Sequence, residues 1–374
     1  MIYLDNAATT RVCDEAVRAA EKAMLDEYFN PNATYKSAVM ANDGIERARK
    51  DIATHIGAMP KEIIFTSGAT ESNNWVFNYG RKNRKGNVVI SAGEHSSVYE
   101  TAMRLKNSGI DVRIAPLTES GTVDINALSE LIDAETALAS FIHVSNETGV
   151  VNPVKAITSK IKAFSPRTLV HCDGVQGMLK LNESIDELGV DYYSASAHKL
   201  GAPKGIGLLY VKNGLNIAPM LCGGGQEHGL RSGTQNTPYI AAFAAAVKRF
   251  SEKSDRAAAI SLRNELCKYF YSHGCKIIGD GENSGYIICV CIPGVKAEIL
   301  QNMVHDQGVI IGKGAACSGA KRGNRVLSAM KIPPADIECC IRISTFADTS
   351  REDALTAAKM IIESARKIRS AHVK

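Results

Sequence analysis

Short apolar runs that end in a polar turn and pass into a helical pattern recur through the first two thirds of this 374-residue chain. Glu62-Ile-Ile-Phe65 leads into Thr66-Ser-Gly-Ala-Thr-Glu-Ser-Asn-Asn74, and Asn87 to Ser91 leads into Gly93-Glu-His95. The order returns at Leu138 to Val144 before Ser145-Asn-Glu-Thr-Gly149, and at Leu169 to Cys172 before Asp173-Gly-Val-Gln176. Tyr192 to Ser194 then runs into His198-Lys199. Strands alternating with helices predict an α/β fold, a mostly parallel sheet with helices on both faces. In such sheets ligands bind beyond the carboxyl ends of the strands. Thr70, His95, Asn146, Asp173, Gln176 and Lys199 all fall at those positions.

The chain is longer than a single core usually grows, which argues for two domains. We expect a large one over 12–250 and a smaller α+β one over 251–374, with residues 1–11 packing against the latter. The junction falls near Ser254 and Asp255, where a helical pattern running from about Tyr239 to Ser272 is interrupted. Lys plus Arg exceed Asp plus Glu by only 44 to 39, too mild and dispersed a balance to make nucleic acid the partner. The apolar runs, such as Ile240 to Val247, are far shorter than the roughly 20 residues of a membrane span. The N-terminus lacks the basic and apolar regions of a signal peptide, so the expectation is a cytoplasmic protein. Ten cysteines at irregular spacing, without a CxxC pair, predict reduced core thiols rather than disulfides or a metal site. Cys289 and Cys291 alternate in an apolar strand pattern of this kind.

Three stretches carry chemistry. Asp191-Tyr-Tyr-Ser-Ala-Ser-Ala-His198-Lys199 is a strand that stops in a turn bearing a lysine, which can form a Schiff base with a carbonyl cofactor once burial frees its amine. Thr66 to Asn74 is a glycine-containing, hydroxyl-rich turn at a helix start, and reads either as a phosphate cradle or as an ordinary helix cap. Gly312-Lys-Gly-Ala-Ala-Cys317-Ser-Gly319 sets one cysteine among small residues, either a reactive thiol or a tight turn.

The ordered motifs resemble the cysteine desulfurases, pyridoxal-phosphate enzymes of the class V aminotransferase fold (fold type I), in the group with a long cysteine-bearing loop. The resemblance rests on Tyr3-Leu-Asp-Asn-Ala-Ala-Thr-Thr10, Phe65 to Ser72, Glu94-His95, Asn146-Glu-Thr-Gly149, Asp173 with Gln176, and Ser196-Ala-His-Lys199. Pro203 to Gly207, Gly223 to Glu227, Arg231-Ser-Gly-Thr234, Ala316-Cys317-Ser and Ile341-Arg-Ile-Ser344 extend it nearly end to end. It implies pyridoxal 5'-phosphate on Lys199, Asp173 against the ring nitrogen, His95 stacked on the ring and Gln176 on its phenolic oxygen. It further implies phosphate held by Ala69, Thr70, Ser196 and His198, with Thr234 reaching in from the other subunit of a homodimer. Asn146 and Arg342 would take the substrate carboxylate. Cys317 would take sulfur from L-cysteine as a persulfide, leaving alanine, and pass it to an acceptor protein, an iron–sulfur scaffold or a thiolation protein.

The chain departs from the family pattern at Lys313 and Ala315, where serines are usual, at Asn32-Ala-Thr-Tyr35, and at Ala202 before the proline. Fold alone does not fix the reaction. A selenocysteine lyase or another class V pyridoxal-phosphate enzyme is therefore the first alternative, and a non-catalytic partner-binding scaffold the second.

Overall fold

A computed structural model describes residues 1–81, 85–314 and 324–372; Cys317 and Ala315 lie outside the described residues. The larger sheet has seven strands: β2 (Ile63–Thr66), β3 (Val88–Ser91), β4 (Val112–Ala115), β5 (Leu138–Ile142), β6 (Leu169–Asp173), β7 (Tyr192–Ser196) and β8 (Gly207–Val211). Their order is β2-β8-β7-β6-β5-β3-β4. Every neighbouring pair is parallel except those made by β8, which runs against both β2 and β7.

This sheet is buried on both faces, which is why its strands read as continuous apolar runs. Ile64, Val88, Ile90 and Leu138 pack on one side with Trp75, Val76 and Val98. Their neighbours Ile63, Val89 and Ala139 turn to the other side, among Ile45, Ile52, Val154 and Ile157. The period of two sends alternate residues to helices on opposite faces. The expected mostly parallel sheet with helices on both faces is therefore present.

A second sheet of five strands has the order β1-β11-β12-β10-β9. It comprises β1 (Ile2–Leu4), β9 (Lys276–Ile278), β10 (Ile287–Cys291), β11 (Val309–Lys313) and β12 (Cys340–Ser344). β1 pairs in parallel with β11, so the chain begins in the sheet that its C-terminal third completes. Ile288, Val290, Ile341 and Ile343 pack with Leu266 and Phe270 of the helix Arg256–Ser272 and with Ala357 and Ile361 of the helix Arg351–His372. Cys289 and Cys291 turn the other way, into the core shared with the large sheet, as their alternation implied. The long helical stretch is broken as expected, into Thr237–Lys253 and Arg256–Ser272, with Asp255 capping the second by accepting from the Ala258 amide.

The sequence reading passed over β1 and β9, each three residues long. Among the described residues no helix is long and apolar enough to cross a membrane, and no group of three or more His, Cys, Asp or Glu is arranged to hold a metal ion.

Candidate active site

Asp173 is the last residue of β6 and Ser196 the last of β7, while His95, Thr70 and Asn146 lie a few residues beyond β3, β2 and β5. Parallel strands bring these ends to one edge, where an open cleft of about 490 Å³ is lined by every one of them and by Gln176, His198 and Lys199. Arg342, from the middle of β12 in the other sheet, lines the same cleft.

The connection between the two sheets is made by the stretch after β1. Asn6 donates to the Ser344 carbonyl at 2.9 Å and the Ala7 amide to Ser344 Oγ at 2.8 Å. A few residues on, Thr10 donates to the His198 carbonyl at 2.9 Å. The carbonyls of Ala7 and Ala8 therefore face the Lys199 turn, and Lys199 Nζ donates to them at 2.5 and 2.7 Å. The Leu-Asp-Asn-Ala-Ala-Thr-Thr run thus supplies the wall against which Lys199 is held.

Asp173 is 1% exposed. Its Oδ2 accepts from Asn73 Nδ2 at 2.9 Å and its Oδ1 from the Val175 amide at 3.1 Å, so both oxygens are oriented. Asn73 also donates to Ser97 Oγ at 2.8 Å. Ser97 Oγ lies 2.9 Å from His95 Nδ1, which accepts from the Ser97 amide at 3.2 Å. A nitrogen that accepts carries no proton, which puts the neutral ring's proton on Nε2. Burial is the main force lowering the His95 pKa; Asp173 opposes it, while Lys199 and Arg325 add to it. Near neutral pH the ring is therefore uncharged.

The turn between β2 and the helix Ala69–Trp75 approaches β8 so closely that a Cβ on Gly207 would fall 2.7 Å from Gly68 Cα and 2.5 Å from the Ala195 carbonyl oxygen. Only glycine fits there. The approach sets Ala69 and Thr70 along the same cleft as Ser196 and His198. Burial, aided by Lys199, Lys204 and Lys180, pushes His198 down to about 4. Arg231 of the Arg-Ser-Gly-Thr motif pairs with Glu71 at 3.0 Å, tying that motif to a cleft residue. Thr234 itself is exposed and does not line the cleft of its own chain.

Arg342 donates to the Asn146 carbonyl and to Asp5 Oδ1, both at 2.9 Å. Glu147 lies 3.9 Å away and is bound by the side-chain amides of Asn146 at 2.9 Å and Asn324 at 3.1 Å. Burial raises the Glu147 pKa against the pull of Arg342. A Cβ on Gly312 would meet Asp5 Oδ1 at 2.7 Å and Arg342 Nε at 3.1 Å, so the guanidinium depends on glycine in β11.

The donor set fits pyridoxal phosphate. A lysine amine, an oriented carboxylate, a neutral imidazole and an amide share one cleft with helix-start amides and hydroxyls suited to a phosphate and a guanidinium suited to a carboxylate. The motifs point to these residues and not to their supports, Asn73, Ser97, Asp5, Glu147 and the Ala7 and Ala8 carbonyls. Asp5 and Glu147 sit inside quoted motifs, yet nothing in their spacing shows that they meet Arg342.

A buried seven-stranded sheet with a lysine site at its carboxyl edge, joined to a small sheet bearing an arginine, is the architecture on which a class V aminotransferase is built. The family model described as aminotransferase class-V matches residues 2–355. The chain is 34% identical to the "NifS/IcsS protein homolog" of Lactobacillus delbrueckii subsp. bulgaricus over 95% of this chain and 94% of that one. It is 32% identical to "Cysteine desulfurase IscS" of Dictyoglomus turgidum over 98% and 96%. Among solved structures, a "NIFS-LIKE PROTEIN" superposes with a TM-score of 0.90 at 35% identity, covering 97% of this chain and 98% of that one. "SspA in complex with cysteine" superposes with a TM-score of 0.83 at 31% identity, over 94% and 100%. The chain belongs to the class-V aminotransferase family and, within it, to the cysteine desulfurases.

Proposed function

We propose that the protein is a pyridoxal-phosphate-dependent cysteine desulfurase that converts L-cysteine to L-alanine and carries the sulfur on Cys317 to an acceptor protein. The observation that carries this reading is the meeting of Lys199, Asp173, Gln176 and His95 in one cleft that Arg342 also lines. Bound there, pyridoxal phosphate supplies a carbonyl carbon that captures the substrate amine and a ring that accepts the electron pair of the Cα–H bond. Lys199 would hold the carbonyl group, and its freed amine would take the Cα proton of the substrate. Asp173, held on both oxygens, would keep a proton on the ring nitrogen. His95, neutral with its proton on Nε2, would lie along the ring and could return a proton to substrate. Arg342 and the Asn146 amide receive the substrate carboxylate by charge-assisted hydrogen bonds. The Cys317 thiolate attacks the substrate sulfur: the S–S bond forms, the C–S bond breaks, and the product carbon is reprotonated to alanine.

The same reading includes a homodimer with shared sites. Thr234 is exposed outside its own cleft, and the adjacent Gln235 accepts from Asn32 at 3.3 Å. The loop of Asn32 is flanked by Tyr28, Tyr35 and Met40, which are 68%, 53% and 60% exposed. An apolar surface of this kind supports pairing with a second copy, which would bring Thr234 to the partner's phosphate. The division into 12–250 and 251–374, with the first 11 residues on the smaller unit, is supported by the two sheets. A cytoplasmic setting and an iron–sulfur scaffold or thiolation protein as acceptor complete the reading. The test is to supply L-cysteine and a thiol reductant: sulfide and alanine should appear in equal amounts, and consumption of cysteine without alanine would overturn it.

A further inference from the structure

Lys180 follows Gln176 by four residues, in the turn after β6, and is only 4% exposed. Among the described residues it has no carboxylate in ion-pair range; its ammonium donates to Gln176 Oε1 at 2.9 Å and lies 5.9 Å from the centre of the Tyr286 ring. A buried charge without a counter-ion is costly, and here burial, with Lys199 second, pulls the amine down to about 7. The mechanism above gives Lys180 no task.

Its placement nevertheless decides how Gln176 can act. An ammonium only donates and a backbone carbonyl only accepts. Gln176 is bound between one of each, with Oε1 on Lys180 and Nε2 on the Ala7 carbonyl at 3.0 Å. One amide orientation alone satisfies both, so the nitrogen faces the cleft wall where Lys199 also meets the Ala7 carbonyl. The amide nitrogen carries two N–H groups, and the Ala7 carbonyl uses one. Hydrogen bonds in series polarise one another, so a charged donor on Oε1 makes the Nε2 donor stronger.

We propose that Lys180 is a positioning residue for the cofactor, fixing the Gln176 amide with its nitrogen toward the cleft and strengthening it as a donor to an anionic oxygen of pyridoxal phosphate. This rests on the cofactor reading above. It explains why a lysine without a counter-ion is kept in the core: its charge is offset when the anion arrives one amide away.

The test is a double-mutant cycle on cofactor affinity, measured by titrating apoprotein with pyridoxal phosphate: wild type, Lys180→Met, Gln176→Ala and the double variant. Loss of a hydrogen bond to a charged group should weaken binding about tenfold in each single variant. Because Lys180 acts through Gln176, the double variant should bind no more weakly than Gln176→Ala. Lys180→Gln replaces Lys180→Met in the cycle if the latter fails to fold, and melting of each apoprotein shows which is folded. Affinity of the Lys180 variant within twofold of wild type, or losses that add in the double variant, would overturn the proposal and leave the cofactor reading intact. Failure of the wild-type apoprotein to bind pyridoxal phosphate would overturn the cofactor reading, and this inference with it.

Discussion

Asn73 donates to Asp173 Oδ2 at 2.9 Å, which braces the acid at the end of β6 against the helix that begins at the proposed phosphate cradle. The two ends of the cofactor site are thereby mechanically linked. Asn73→Ala should leave Asp173 ionisable but less well oriented, weakening pyridoxal phosphate retention roughly tenfold, in line with one hydrogen bond to a charged group. Asp173→Ala should cost far more in kcat than Asn73→Ala, because it removes the ring's acid partner itself. Affinity titration and steady-state turnover of both variants check the ranking.

Lys199 should carry the pyridoxal label. Treating the holoprotein with borohydride and mapping the reduced adduct is expected to return the peptide containing Lys199. Lys199→Ala should lose turnover by several orders of magnitude, since both the anchor and the proton acceptor go. Lys204, which lines the same cleft, and Lys180, which reaches it through Gln176, are the natural controls, and an adduct on either would reassign the anchor.

Glu94 gives a pH signature in the apoprotein. Burial pushes its carboxyl up to about 8 from 4.5, although Ser91 and the Ile142 amide both bind Oε1. Its Oε2 has no hydrogen-bond partner among the described residues. Below about pH 4.5 the group is protonated in both folded and unfolded chains; between there and about pH 8 only the folded chain keeps the proton, so stability falls as pH rises. Glu94→Gln, which keeps the Oε1 acceptor, should therefore melt higher than wild type at pH 8, by roughly 2 °C or more. The difference should vanish toward pH 5. Equal melting of the two proteins across that range would show that Glu94 is already ionised.

The large sheet was legible because burial on both faces writes each strand as an unbroken apolar run, and because polar residues cluster where those runs stop. β1 and β9 were not, since three residues are too few to show a period and their pairing comes from strands far away in the chain. The site divided in the same way. Lys199, Asp173 and His95 could be placed from the strand ends alone, whereas the contact of Lys199 with the Ala7 carbonyl spans 192 residues and the Arg342–Asp5 bond spans 337. Such contacts depend on how two sheets are joined, and no local pattern encodes that.

Shared sites can be tested by mixing subunits. Thr234→Ala should weaken pyridoxal phosphate retention, and Lys199→Ala should be inactive. Hybrid dimers of the two should regain part of the wild-type activity, because one of the two sites then draws Lys199 and Thr234 from the unaltered positions of each chain. No recovery on mixing, with exchange verified, would mean that Thr234 serves its own chain.

The central claim is that Cys317 takes the sulfur. Of the described cysteines only Cys222 is exposed, and burial raises the thiols of Cys172, Cys267 and Cys275 away from the reactive thiolate form. Cys222 is therefore the rival to exclude. Cys317→Ser should still bind pyridoxal phosphate and L-cysteine, since those steps use Lys199, Asp173, Asn146 and Arg342, yet turnover should fall by orders of magnitude. The direct measurement is mass spectrometry of wild-type protein after brief exposure to L-cysteine without reductant. One added sulfur on the peptide containing Cys317 is the expected result; sulfur found only on the peptide containing Cys222, or full turnover by Cys317→Ser, would contradict the account.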